Sequence, residues 1–190
     1  VSTSLDESLR QYAGEVLRFA AVMNLTSVRS ERELQRSFIK PSLELLHWLP
    51  ENGRLLDIGS GMGIPGVPLL LARRDLYGVL VERRRKRAEF LRHLVRCLGL
   101  SAEVHDQDAN NLSVPKADAL VARAVAKPLV LLNMCARHII VGGSAVLPVA
   151  RGVEAVQCAE WQFESAGEIC AGQEKQAVQV YRRKEVSRET

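Results

Sequence analysis

The chain has no Cys-x-x-Cys pair, no run of apolar residues long enough to cross a bilayer, and no histidines at metal-ligand spacing. Its cysteines, Cys97, Cys135, Cys158 and Cys170, are scattered, so neither a zinc site nor a dithiol couple is expected, and reduced thiols in a cytoplasmic protein are. His47, His93, His105 and His138 read as structural or exposed, and no metal is expected. The absence of a long apolar run argues against a membrane partner. The first residues, VSTSLDESLRQ, lack a charged region followed by an apolar one, so no secretory signal is expected. Repeats and low-complexity linkers are missing too.

What remains is a chain of 190 residues, 47% of them hydrophobic, which suits one domain with a sizeable core. The net charge of +4 is weak evidence for a polyanion partner. Its clustering says more. Arg83-Arg84-Arg85-Lys86-Arg87 is unbroken, with smaller groups at Arg73-Arg74 and Arg182-Arg183-Lys184. Such runs are commonly solvated faces, but the first directly follows a candidate ligand turn.

Two capping boxes, Ser4-Leu-Asp-Glu7 and Ser30-Glu-Arg-Glu33, open helices in the N-terminal quarter. The first helix carries Leu5, Leu9, Tyr12, Val16, Phe19 and Ala20 at helical spacing and should end before Asn24. Pro41 should interrupt the second, with Ser42 to Trp48 resuming it. After Pro50 the pattern changes. Short apolar runs at Arg54–Ile58, Val79–Val81, Ala102–His105, Ala119–Ala122 and Ala145–Val149 alternate with helical stretches at Pro65–Ala72, Lys86–Leu98 and Lys127–Ile140. That alternation predicts a parallel sheet covered on both faces. Trp161–Phe163 and Ala177–Tyr181 read as closing strands with one antiparallel edge. The expected organisation is a helical extension over 1–50 packed on an α/β core over 51–190.

Asp57-Ile-Gly-Ser-Gly-Met-Gly-Ile-Pro-Gly66 follows the first predicted strand. Gly59, Gly61, Gly63 and Gly66 permit positive φ and close approach of a ligand to the backbone. Gly61 to Gly66 matches G-x-G-x-x-G, and Glu82 comes later at a spacing suited to a ribose-binding acid. A nicotinamide dinucleotide and S-adenosylmethionine both fit so far. Asp57, at the strand end, would repel a pyrophosphate but suits an ammonium or sulfonium. Gln107-Asp108-Ala109 offers a carboxylate for an adenine amine. Acids after three successive strands therefore favour S-adenosylmethionine. The plainer alternatives are that Asp57 caps a helix, Glu82 pairs with the arginines after it, and Asp108 is a turn acid.

The acceptor is constrained by what is missing. There is no Asn-Pro-Pro-Tyr or Asp-Pro-Pro-Tyr segment to hold an exocyclic amine and no Pro-Cys pair to attack a pyrimidine. An acceptor that is already nucleophilic, such as guanine N7, needs alignment but no general base.

DIGSGMGIPG with Leu71-Ala-Arg-Arg-Asp75 resembles the glucose-inhibited division protein B family (GidB, also RsmG), bacterial methyltransferases of guanine N7 in 16S ribosomal RNA. The resemblance extends over roughly 10–152. It includes Asn24-Leu-Thr26, Lys86-Arg-Ala-Glu-Phe-Leu91, Gly99-Leu100, Ala122-Arg-Ala-Val-Ala126 and Gly142-Gly143. It implies a class I methyltransferase fold, a Rossmann-like wound sheet, mostly parallel with one antiparallel strand, preceded by N-terminal helices. It implies S-adenosylmethionine held by Asp57, Gly59, Ser60, Gly61, Gly63, Pro65, Glu82, Asp108 and Ala109. Arg123 becomes the candidate catalytic residue, facing RNA or the target base, with a salt bridge to a nearby acid as its plainer reading. Arg36, Arg84, Lys127 and Arg151 become candidate contacts to 16S rRNA or the small ribosomal subunit, met by a monomer. Where the family has Arg-His-x-x-Asp-Ser, this chain has Arg36-Ser-Phe-Ile-Lys-Pro41, and Arg151-Gly152 replaces Lys-Gly. The altered segment keeps two alternatives open: a small-molecule acceptor, or a cofactor-binding RNA or assembly module without turnover.

Overall fold

In the computed structural model, residues 4–23 and 25–185 are described, with no description of the side chain of Ala21. Asn24 of the Asn24-Leu-Thr26 resemblance lies outside them. Helix α1 spans Leu5–Met23 and starts where expected, the Glu7 N–H donating to Ser4 Oγ at 3.2 Å. Ser30 caps α2, Glu31–Leu34, through the Glu33 N–H. Pro41 does not interrupt this second helical segment. The chain runs through a π-helical turn, Gln35–Ile39, into α3, Lys40–Glu44, and a 3₁₀ turn, Leu45–Trp48. The wider π turn, in which the Lys40 N–H reaches back to the Gln35 carbonyl, accommodates a residue that would break a regular α-helix.

The core is a seven-stranded sheet in the order β3-β2-β1-β4-β5-β7-β6. Its strands are β1 Gly53–Ile58, β2 Leu76–Val81, β3 Ala102–His105, β4 Ala117–Ala122, β5 Ile139–Val149, β6 Trp161–Ala171 and β7 Glu174–Arg183. The first five are mutually parallel, as their apolar runs implied. β7 is antiparallel to both neighbours, so β6 again runs parallel to β5. The antiparallel strand is therefore inserted beside β5 and is not the edge. The edge, β6, carries charges such as Glu164 and Glu168, which discourage further strand pairing.

Central strands alternate their side chains between two cores. Leu55, Leu80, Val121 and Val146 face one cluster, which also takes in Tyr12, Val16 and Leu34 from the N-terminal helices and Leu70, Leu91 and Leu94 from helices α4, Gly66–Ala72, and α5, Arg85–Cys97. Leu56, Val79, Leu120 and Leu147 face the other, beneath α6, Pro128–Cys135. Both strand faces are buried, hence near-continuous apolar sequence in place of alternation. Each fully buried aliphatic side chain contributes roughly 1.5–3 kcal/mol. The N-terminal helices and the sheet thus share one core. The four cysteines are free thiols, and burial pushes the Cys135 thiol up to about 12. No helix among the described residues is long and apolar enough to cross a membrane.

Candidate functional site

The winding reverses between β1 and β4, which pair side by side while β2 flanks β1 on its other edge. Ligands in wound sheets bind outside the carboxyl ends of the strands at such a reversal. A cleft of about 300 Å³ opens there. It is lined by Ile58 and Gly59 at the end of β1, Val81 and Glu82 at the end of β2, Gln107, Asp108 and Ala109 after β3, and Ala124 and Val125 after β4. Met134 of α6 closes one wall, and Arg83, Arg84 and Arg87 form a basic lip.

The glycine turn is held from several sides. The Gly59 and Ser60 N–H groups donate to the Val81 carbonyl at 2.8 and 3.0 Å, tying the turn to the end of β2. Tyr12 of α1, buried, donates its hydroxyl to the Met62 carbonyl at 3.0 Å, so an N-terminal helix braces the loop. The Ile64–Pro65 peptide is cis. Gly59 has φ +71°, and a Cβ there would lie 2.5 Å from Val125 Cγ2. Only glycine permits that approach of the β4 loop to the β1 turn.

Glu82 is 6% exposed and aimed by backbone. Its Oε2 accepts from the Gly61 N–H at 3.1 Å and its Oε1 from the Arg84 N–H at 2.8 Å. Each carboxylate oxygen keeps a second lone pair for a ligand hydroxyl. The contact to Arg84 is thus through its main-chain N–H. Asp108 lines the cleft, but its Oδ1 caps a 3₁₀ turn, Ala109–Asn111, accepting from the Asn110 N–H at 2.9 Å. That bond and the Asn110 side-chain amide hold its pKa below the usual carboxylate range. Vicinal hydroxyls against Glu82 and a flat apolar group between Val81, Ala109 and Met134 are what this lining accepts, which fits the adenosine part of S-adenosylmethionine.

Other expected residues sit elsewhere. Asp57, assigned to the methionyl ammonium, is fully buried and absent from the cleft lining. Its Oδ2 accepts from the Gly66 N–H at 3.1 Å, so it caps α4, the plainer alternative. A Cβ on Gly66 would lie 2.5 Å from that oxygen, so glycine is needed for the carboxylate to reach the helix end. Asp57 Oδ1 is buried without a partner, and burial pushes the carboxyl up to about 7, the Gly66 N–H only partly offsetting it. Ser60 is buried too, its hydroxyl donating to the Asp57 carbonyl at 3.0 Å, and neither it nor Gly61, Gly63 or Pro65 lines the cleft. These residues shape the turn from behind. Arg84, grouped by sequence with the RNA contacts, lies on the cleft itself.

Arg123 lies outside the cleft. Ala124, the one non-glycine residue with positive φ among those described, at +54°, turns the chain so that Arg123 lines a second cavity while Val125 faces the first. This second cavity, about 720 Å³, also takes in Arg151 after β5 and the tip of the β6–β7 hairpin. Arg151 is exposed and 3.6 Å from Glu168. Arg36 and Lys127 line neither space. No sequence signal marks Phe38, Glu174 or Gln176, which line the second cavity from a helix and a hairpin distant in the chain. Among the described residues no group of three or more His, Cys, Asp or Glu side chains is placed to hold a metal.

Comparison with known proteins agrees with this architecture. A crystal structure of TYW2 from M. jannaschii in complex with AdoMet superposes with a TM-score of 0.60 over 78% of this chain and 77% of that one, at 14% identity, which establishes likeness of fold. The ribosomal RNA small subunit methyltransferase G of Anaeromyxobacter dehalogenans (strain 2CP-1) is 34% identical over 164 residues, 80% of this chain and 75% of its own length. That of Xanthomonas axonopodis pv. citri is 37% identical over 142 residues, 74% of this chain and 63% of its own. The family model for rRNA small subunit methyltransferase G matches residues 5–186, beyond the segment that carries the motifs, and the chain belongs to this family, GidB.

Proposed function

We propose that this chain is an S-adenosylmethionine-dependent methyltransferase that modifies guanine N7 in 16S ribosomal RNA. Family membership supports the activity and the cofactor. The observation that carries the site assignment is Glu82, buried at the sheet's reversal point and oriented by two backbone N–H groups toward the cleft. It would accept the ribose hydroxyls, with Gly59 and Ala109 against the nucleoside and Asp108 at its adenine end. The bound cofactor supplies a methyl group made electrophilic by the sulfonium. Val125 and Ala124, after β4, separate that cleft from the cavity of Arg123 and Arg151, and the acceptor would approach across this saddle. The saddle itself carries no general base, and N7 requires none, since its lone pair lies in the ring plane. Positioning then supplies the main part of the rate enhancement.

Labelled methyl transfer from S-adenosylmethionine to small ribosomal subunits, followed by nucleoside analysis, tests this reading. The expected result is label in 7-methylguanosine. Label confined to small molecules would favour the other acceptor class, and tight cofactor binding without transfer would favour a binding module.

A further inference from the structure

The second cavity holds an arginine in an unusual setting. The Arg123 guanidinium carbon lies 4.6 Å from the centroid of the Phe38 ring. One Nη donates to the Ser37 carbonyl at 3.2 Å. Ser37 lies in the π-helical turn that leads into Pro41. In a regular helix the Ser37 carbonyl would bond the N–H four residues on, and proline has none. Phe38 and the Ser37 carbonyl together fix the guanidinium plane. Among the described residues no carboxylate pairs with Arg123, and burial alone pulls its pKa below the ordinary arginine value. Four of its five N–H donors are left for the cavity.

A guanidinium commonly reads guanine through O6 and N7. That mode cannot serve a reaction at N7, because the arginine would occupy the lone pair that must take the methyl. A use of a flat, aromatic-backed guanidinium that leaves N7 free is its face, on which bases stack. The edge of guanine that stays accessible carries the N1–H and N2–H₂ donors, and these require an acceptor. Glu174, the first residue of β7, lines the cavity with a carboxylate. Adenine offers no such pair of donors.

We propose that this cavity seats the acceptor guanine, its face on the Phe38-backed guanidinium of Arg123 and its N1–H and N2–H₂ groups on Glu174. The assignment rests on the ribosomal RNA reading above. As N7 forms its bond to carbon, the sulfur–methyl bond breaks with its electron pair left on sulfur, and the purine becomes cationic. Glu174 stabilises that growing charge and offsets the repulsion that the stacked arginine exerts on it, a repulsion that also favours release of the cationic product. Glu174 thereby acts on the chemical step, and Phe38 is a positioning residue acting through Arg123.

The test compares methyl transfer to small ribosomal subunits by wild type, Arg123→Lys, Phe38→Leu, Phe38→Tyr and Glu174→Gln, with cofactor affinity and melting temperature measured for each. Arg123→Lys keeps the charge but loses the plane, and kcat/KM should fall about tenfold or more. Phe38→Leu should fall in the same direction and Phe38→Tyr recover, and Glu174→Gln should lower kcat/KM about tenfold. Full activity in Arg123→Lys would mean that a point charge on phosphate suffices and would overturn the stacking assignment. Full activity in Glu174→Gln would overturn the edge contact. Nucleotide binding is followed separately by the Arg123 Nε–H resonance. Guanosine 5′-monophosphate should shift it more than adenosine 5′-monophosphate does, a preference lost in Glu174→Gln. No preference in wild type overturns the pocket. Wild type that binds cofactor and prefers guanosine 5′-monophosphate yet leaves subunits unmethylated overturns the ribosomal reading alone.

Discussion

Asp57 shows how a single side chain can be required by a site it does not touch. It lies at the end of β1 with one oxygen on the Gly66 N–H and the other without a partner, in full burial. A carboxylate there completes the N-terminus of α4, where negative charge is favoured, but loses hydration. Desolvation dominates, raising the carboxyl from its ordinary 3.8 to about 7. Between those two values the folded protein holds a proton that the unfolded chain has released. Asp57 therefore adds most to stability below about pH 4, and its contribution falls as pH rises toward 7 and levels off above it, with a limiting slope of about 1.4 kcal/mol per pH unit. Asp57→Asn keeps an acceptor for Gly66 and cannot titrate. Urea unfolding of both proteins from pH 5 to pH 8 should show the wild type losing stability relative to the variant. A constant difference across that range would mean the carboxyl is already ionised at pH 5.

At the scale of elements, the glycine turn and the helical segment before β1 behave oppositely as sequence. The turn is legible because its constraint is local. A left-handed backbone at Gly59 leaves a mark in the residue type, and replacing it with alanine sets a Cβ 2.5 Å from Val125 Cγ2. Gly59→Ala should cost about 1–2 kcal/mol for the backbone alone. Because the displaced Val125 walls the cleft, S-adenosylmethionine affinity in a titration should drop by more than the melting temperature suggests. Retained affinity would mean that the β4 loop moves freely. The strands are equally legible, since burial on both faces demands apolar runs, and Glu82 can be found from its distance beyond the glycines. Residues 35–48 are not. Proline signals a break, and whether a π turn rescues the helix depends on what packs around it. The length of the β6–β7 hairpin escapes a sequence reading because exposed positions alternate along β6 and hide the apolar pattern. Phe38, Arg123 and Glu174 meet only through the fold, so no spacing announces their cavity.

For the whole molecule, charge placement matters more than its sum. Many cations away from the site are neutralised: Arg54 by Glu103, Arg73 by Asp75, Arg92 by Asp106 and Arg183 by Glu160, all within 2.9 Å. At the carboxyl end of the sheet, Arg83 and Arg84 on the cleft lip and Arg123 in the second cavity have no carboxylate ion pair among the described residues. Arg151 and Lys175 share the single carboxylate of Glu168, at 3.6 and 3.0 Å. Cations without a carboxylate ion pair therefore line both openings, and an RNA drawn to them would lie across the two. Affinity for ribosomal RNA should then fall linearly in log–log terms with salt, with a slope of about 0.7–0.9 per neutralised phosphate. Replacing one lip arginine, as in Arg84→Ala, should reduce that slope by about one. Cofactor affinity should show little salt dependence, because Glu82 recognises hydroxyls by hydrogen bonds at a buried carboxylate. The same placement predicts order as well as strength. If RNA covers the cleft, excess small subunits should slow the escape of bound S-adenosylhomocysteine in a stopped-flow chase, an effect that Arg84→Ala relieves. An escape rate indifferent to RNA would place the strand away from the lip and confine it to the Arg123 side.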